Sequence, residues 1–121
     1  MPTPETEQLR GGELNAALTS ALVGIHTEYL GRGPKTASTF HQGNVLVTLM
    51  HDVLTPAERS LARHEHTEAV SQIRHLFQGT MEVEFRAAVE RLTGRKVVAF
   101  ISGNQLVPDV AAELFILDEP L

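Results

Sequence analysis

The stretch VSQIRHLFQGTMEVEFRAAVERLTGRKVVAFI, residues 70–101, decides the fold. Val70, Arg74, Phe77, Met81, Phe85, Ala88 and Leu92 recur at three- and four-residue steps, the spacing of one helical face. A long helix is therefore predicted from Val70 to Leu92. Thr93-Gly94 ends it, because glycine relaxes the backbone at a helix C-terminus. Val97-Val98-Ala99-Phe100-Ile101 then reads as a strand. One residue breaks the pattern: Arg74 stands on the apolar stripe, where an unpaired guanidinium would be very costly to bury.

Downstream, a polar loop with Gly103, Asn104, Pro108 and Asp109 separates the first strand from a second, Val110 to Leu117. Upstream, Leu14, Leu18, Ala21, Leu22, Ile25 and Tyr29 mark a helix from about residue 7 to 30, closed by Gly31-Arg32-Gly33-Pro34. Strand-favouring residues follow at about 36–41 and 45–51, with Gln42-Gly43-Asn44 as the turn of a hairpin. In Leu54-Thr55-Pro56-Ala57-Glu58 a threonine cap, a proline at the first helical position and an acid in the first turn start a short helix. It runs to about Arg63, and Thr67 is expected to cap the long helix after it. The prediction is an α+β domain of two layers, in the order α-ββ-αα-ββ. Its four-stranded sheet is mainly antiparallel and carries its helices on one face. Residues 8–118 form that single domain, behind a flexible leader at residues 1–7.

Composition narrows the function classes. The chain of 121 residues has ordinary globular composition and no cysteine, which excludes disulfides and thiolate ligands. The first ten residues contain no apolar targeting segment, and no run approaches the roughly 18 apolar residues of a membrane span. A cytoplasmic location without direct membrane insertion is expected. A net charge of −5 and few aromatic residues oppose nucleic-acid binding. Both alternating sets of the last two strands are apolar, so both sheet faces need cover, and helices can cover only one. A second copy is expected on the other face, making a homo-oligomer, a dimer first.

Candidate chemistry centres on basic residues. Arg74 is read either as half of an internal or inter-subunit ion pair, or as a side chain that snorkels past the end of the stripe, or as an anion-binding guanidinium, which grips an oxyanion with two hydrogen bonds. The Arg32-Gly33-Pro34-Lys35 turn either ends the helix, its cations complementing the helix dipole, or presents backbone N–H groups to an anion. His51, His64 and His66 form the sole local histidine grouping, but HExxH is absent and no metal site is expected. His26 and His75 read as surface residues and His41 as a residue near a hairpin turn. Ser102-Gly103 lacks the GxSxG context of a nucleophile. The acids Glu82, Glu84, Glu90, Asp109 and Glu113 read as solvated faces, with Glu113 a candidate counter-ion because it interrupts an apolar strand. No catalytic residue and no cofactor are assigned.

Gly31-Arg32-Gly33-Pro34, Leu54-Thr55-Pro56-Ala57-Glu58, Arg74 and Thr93-Gly94-Arg95-Lys96-Val97 through Phe115-Ile116-Leu117 occur in this order. Together, over about residues 10 to 118, they resemble the MpsC family, formerly a domain of unknown function. The resemblance implies a link to a sodium-translocating, membrane-potential-generating system whose larger components are associated with inorganic-carbon uptake. It implies a soluble accessory or regulatory part, with a membrane-transport protein as partner. No catalytic residues come with it; Arg32, Gly33, Pro34, Arg74 and Arg95 are the family-like site candidates. With Lys35 these give a ligand-binding set of Arg32, Gly33, Lys35, Arg74 and Arg95. Three readings stand: a non-enzymatic oligomeric accessory domain binding a small anion or a partner protein, a small enzyme polarising a carbonyl or phosphoryl group, and a structural dimerisation module.

Overall fold

The computed structural model describes residues 8–121, and the expected leader lies outside them. Helix α1 spans Gly11–Leu30, strands β1 and β2 span Thr36–Gln42 and Val45–His51, and helices α2 and α3 span Pro56–Arg63 and Thr67–Thr93. Strands β3 and β4 close the domain at Val97–Gln105 and Val110–Leu117. All strand pairs are antiparallel and the sheet order is β1-β2-β4-β3. The two hairpins therefore join along β2 and β4, with Val45 opposite Ile116 and His51 opposite Val110. This is the predicted α+β order, with the helices packed on the sheet.

Local chemistry sets the ends of the elements. Gly31 and Gly94 close α1 and α3 at φ 79° and 69°, left-handed conformations that glycine adopts without a Cβ penalty. Thr55 caps α2 in a full capping box, receiving the Glu58 amide while Glu58 receives the Thr55 amide. Two boundaries differ from expectation. His66, not Thr67, stands at the α3 cap position and offers no side-chain bond. Strand β3 continues through Gly103 and Asn104, which the sequence suggests are loop, because Ala112 and Ala111 of β4 supply their partners. Pairing to a long neighbour outweighs weak strand propensity.

The core lies between the helices and one sheet face. Leu14, Leu18 and Leu22 of α1 and Met81, Phe85 and Val89 of α3 pack over Leu46 and Met50 of β2 and Phe115 and Leu117 of β4. Phe100 of β3 stacks beside Phe85 and Phe115, with ring centroids 6.1 and 5.0 Å away. Burying each large side chain of this set contributes about 1.5–3 kcal/mol. The opposite sheet face carries Phe40, Val98 and Ile101, which are 52%, 59% and 62% exposed. Half-buried Val47, Leu49, Leu114 and Ile116 lie between them on the two central strands. No described helix covers that face.

Candidate functional site

Arg74 is buried, 3% exposed, and its charge is answered inside the chain. Its Nε donates to Glu58 Oε2 at 2.8 Å and its Nη2 to Glu58 Oε1 at 2.6 Å, a two-point guanidinium–carboxylate pair. Nη2 also donates to the Val53 carbonyl at 2.8 Å. Glu58 is buried too, and its Oε1 still holds the Thr55 amide at 2.9 Å. The Glu58 carboxylate thus ties the cap of α2 to the charge on α3, and Arg74 ties both to the chain leaving β2 at Val53.

His26 faces the same arginine. Its Nε2 lies 3.4 Å from Arg74 Nη1, and a guanidinium can only donate, so Nε2 accepts. The neutral ring therefore carries its proton on Nδ1, which has no hydrogen-bond partner among the described residues. Burial, then the Arg74 charge, lowers the pKa from 6.5 to about 4, against the Arg32 backbone and Glu58, which pull the other way. The reading of His26 as a surface residue is corrected: it is 1% exposed. The signal was present, since Leu14, Leu18, Leu22 and His26 continue one four-residue step.

Next to this cluster a polar row crosses the inner face of the sheet. Thr39 pairs with Thr48, Thr48 with Glu113 and Glu113 with Ser102, one residue from each strand. The hydroxyls of Thr19, Thr39 and Thr48 form a chain of 2.8 and 2.7 Å hydrogen bonds. The row then stops, for Glu113 Oε2 and Ser102 Oγ have no hydrogen-bond partner among the described residues. Burial pushes the Glu113 carboxyl up to about 7, opposed by the nearby Ser102 hydroxyl and the Arg74 charge. The solvated-face reading of Glu113 is corrected, since it is 2% exposed. The direct counter-ion of Arg74 is Glu58.

The remaining expected site residues scatter. Arg32 Nη1 donates to the Leu54 carbonyl at 2.6 Å, one residue from the carbonyl held by Arg74. Gly33 lies so close to α1 that a Cβ there would come 3.0 Å from Thr27 Oγ1. Lys35 is exposed and its backbone N–H joins His51 O at 2.9 Å. Arg95 sits at the C-terminal end of α3, where its Nε donates to the Pro120 carbonyl at 3.1 Å. The structure therefore brings Arg32 and Arg74 together around the β2–α2 connection and leaves Arg95 elsewhere. Arg59 pairs with Asp52 at the same connection, and Asp109 Oδ2 receives the Leu54 amide at 2.9 Å.

Arg95 lines a cavity of about 460 Å³ with Gln8, Leu9, Arg10, Gly11, Leu14, His41, Thr93 and Leu121. Among the described residues no group of three or more histidine or acidic side chains could hold a metal ion. His51, His64, His66 and His75 are exposed. Glu82 pairs with Arg86 at 2.8 Å, and Glu90 receives the Val97 amide at 2.9 Å, so both acids have structural partners.

The family model described as Na+-translocating membrane potential-generating system (MpsC) matches residues 10–119. The chain belongs to the MpsC family. Neither the comparison with curated proteins nor that with solved structures returned a match. The MpsC match takes in every element from α1 to β4, so the Arg74–Glu58 pair and the polar row lie within it, while the Arg95 cavity also draws on Gln8, Leu9 and Leu121 outside it. No described helix of this MpsC-family chain is long and apolar enough to cross a membrane.

Proposed function

We propose that the chain is a non-enzymatic accessory or regulatory subunit, cytoplasmic, that acts as an oligomer, a dimer first, in connection with ion or inorganic-carbon transport. The family description supplies the transport connection. One observation carries the oligomer: the outer sheet face is apolar at its centre, with Thr36, Ser38, Gln42, His51 and Gln105 around it, and bears no Asp, Glu, Lys or Arg on its four strands. Its outward residues run from Phe40 through Val47, Leu49, Leu114 and Ile116 to Ile101. In a chain of net charge −5, a face without charge is the one on which two copies can meet without like charges opposed. Four strands at about 4.8 Å spacing and seven residues at about 3.3 Å per residue span a patch of several hundred Å² on each copy, the low end of specific interfaces.

The fate of Arg74 supports an accessory role over catalysis. An arginine that polarises a substrate needs donors left over for it, and here Nε and Nη2 are engaged by Glu58 and Val53. The pair reads as a structural clamp that seats α2 against α3.

Sedimentation velocity tests the reading. The wild-type chain is expected to sediment as a dimer at micromolar concentration and Ile101→Glu as a monomer. Val107→Glu, on the exposed loop between β3 and β4, is expected to stay dimeric. A wild-type chain that remains monomeric at that concentration overturns the oligomer.

A further inference from the structure

The cavity beside the N-terminus of α1 has the make-up of a ligand site, and it lies apart from the Arg74 cluster. Its walls divide by chemistry. Leu9, Leu14 and Leu121 supply an apolar side, while Arg10 and Arg95 supply cations and His41 an imidazole edge. The volume of about 460 Å³ is in the range of small-molecule pockets. We propose that this cavity binds a small organic anion, a phosphate monoester or carboxylate on a compact apolar body, with Arg10 and Arg95 gripping the charge and the leucines covering the body.

The donors are available. Arg95 uses Nε on the Pro120 carbonyl, and its Nη groups have no hydrogen-bond partner among the described residues. The nearest carboxylate to it, Glu119, is 4.0 Å away and largely exposed, so it is a weak competitor in water. Arg10 makes no ion pair among the described residues and is exposed at the α1 cap position. His41 Nδ1 donates to Asn15 Oδ1 at 2.8 Å, which orients the ring and leaves Nε2 of the neutral imidazole as an acceptor, so the anion is left to the two arginines. Among the described residues no acidic side chain lines the cavity. Two guanidiniums line one partly apolar hollow, Arg10 exposed and Arg95 half-buried, and an oxyanion between them would engage both. The first turn of α1 opens on the same space, and its backbone N–H groups add to the attraction without carrying it. The inner wall is fixed by packing, since Leu14 belongs to the core and Thr93 bonds the Val89 carbonyl.

The charge recognition and the apolar cover are separable, so the probes are phenyl phosphate, inorganic phosphate and benzyl alcohol. Calorimetric titration of the full chain with phenyl phosphate is expected to show saturable one-site binding. Arg10→Gln and Arg95→Gln are each expected to weaken it about tenfold or more, the loss of one charge-assisted contact. Inorganic phosphate should bind more weakly than phenyl phosphate, and benzyl alcohol should give no heat. Arg63→Gln, at the end of α2, is expected to bind as wild type. Amide shifts on titration should concentrate at Gln8–Leu14, His41, Thr93–Arg95 and Leu121, a readout on the wild-type chain that does not depend on any variant folding. Absence of phenyl phosphate binding, or shifts centred elsewhere, overturns the site. Equal affinity for inorganic and phenyl phosphate overturns the ligand class. The dimer is read from sedimentation alone, so its failure and the failure of this site are distinguishable.

Discussion

At the scale of single residues, the interior of the domain is organised by a few buried charges. Glu58 is the hinge among them, because it neutralises Arg74 and closes the Thr55 cap with the same carboxylate. Removing one member of a buried pair strands the other, so Arg74→Ala and Glu58→Ala should each destabilise the chain by about 3–5 kcal/mol. Urea titration checks this, and a loss under about 1 kcal/mol would mean that water already screens the pair. Glu113 and His26 predict a pH profile. The folded chain holds the Glu113 proton up to about pH 7 where an ordinary carboxyl releases it near 4.5. Stability from this group therefore falls as pH rises across that window and stays low above it. His26 works in the opposite sense: its pKa drops from 6.5 to about 4, so stability falls as pH decreases through that interval. The two slopes oppose each other in their overlap. Glu113→Gln removes the first, and its stability relative to wild type should improve between pH 5 and pH 8 by on the order of 2–3 kcal/mol. Urea midpoints at the two pH values measure it, and an advantage that does not grow with pH contradicts the assignment.

At the scale of elements, the ends of the helices were written locally. Proline after threonine, with glutamate at the third helical position, announces α2, and glycine announces the ends of α1 and α3. Glycine inside α3 is another matter. Gly79 is exposed mid-helix with open space where a Cβ would stand. Gly79→Ala should raise stability by about 0.5–1 kcal/mol through helix propensity alone, read as a higher thermal midpoint. Gly94→Ala should do the reverse, because φ is +69° and a Cβ would approach Gln8 Oε1 to 3.0 Å. The strands were less legible. The bulge between Val97 and Ala99 shifts the register of β3, and this places Phe100 over the core and Ile101 outside it. Alternation in the sequence does not reveal that step, since Val97 to Ile101 is apolar throughout.

At the scale of the whole molecule, two layers leave one sheet face against the helices and the other without cover. If the proposed dimer forms there, unfolding is coupled to dissociation, and the thermal midpoint should rise with protein concentration between about 1 and 100 µM. A midpoint independent of concentration argues for a monomer. The sequence by itself determined the element order, the hairpin positions, the helix caps, the apolar stripe of α3 and the resemblance to the MpsC family. Each of these is encoded in spacing over a few residues or in an ordered set of motifs, and needs no knowledge of which segments meet. Only the tertiary structure decided what those segments do to one another. It gave Arg74 a carboxylate sixteen residues away, turned His26 inward, set Thr39, Thr48, Glu113 and Ser102 in one row, and separated Arg95 from Arg32. Burial and pairing are properties of contacts between distant parts of the chain. A charged residue on a helix reads the same whether its partner is an anion from solution or a glutamate from the next helix.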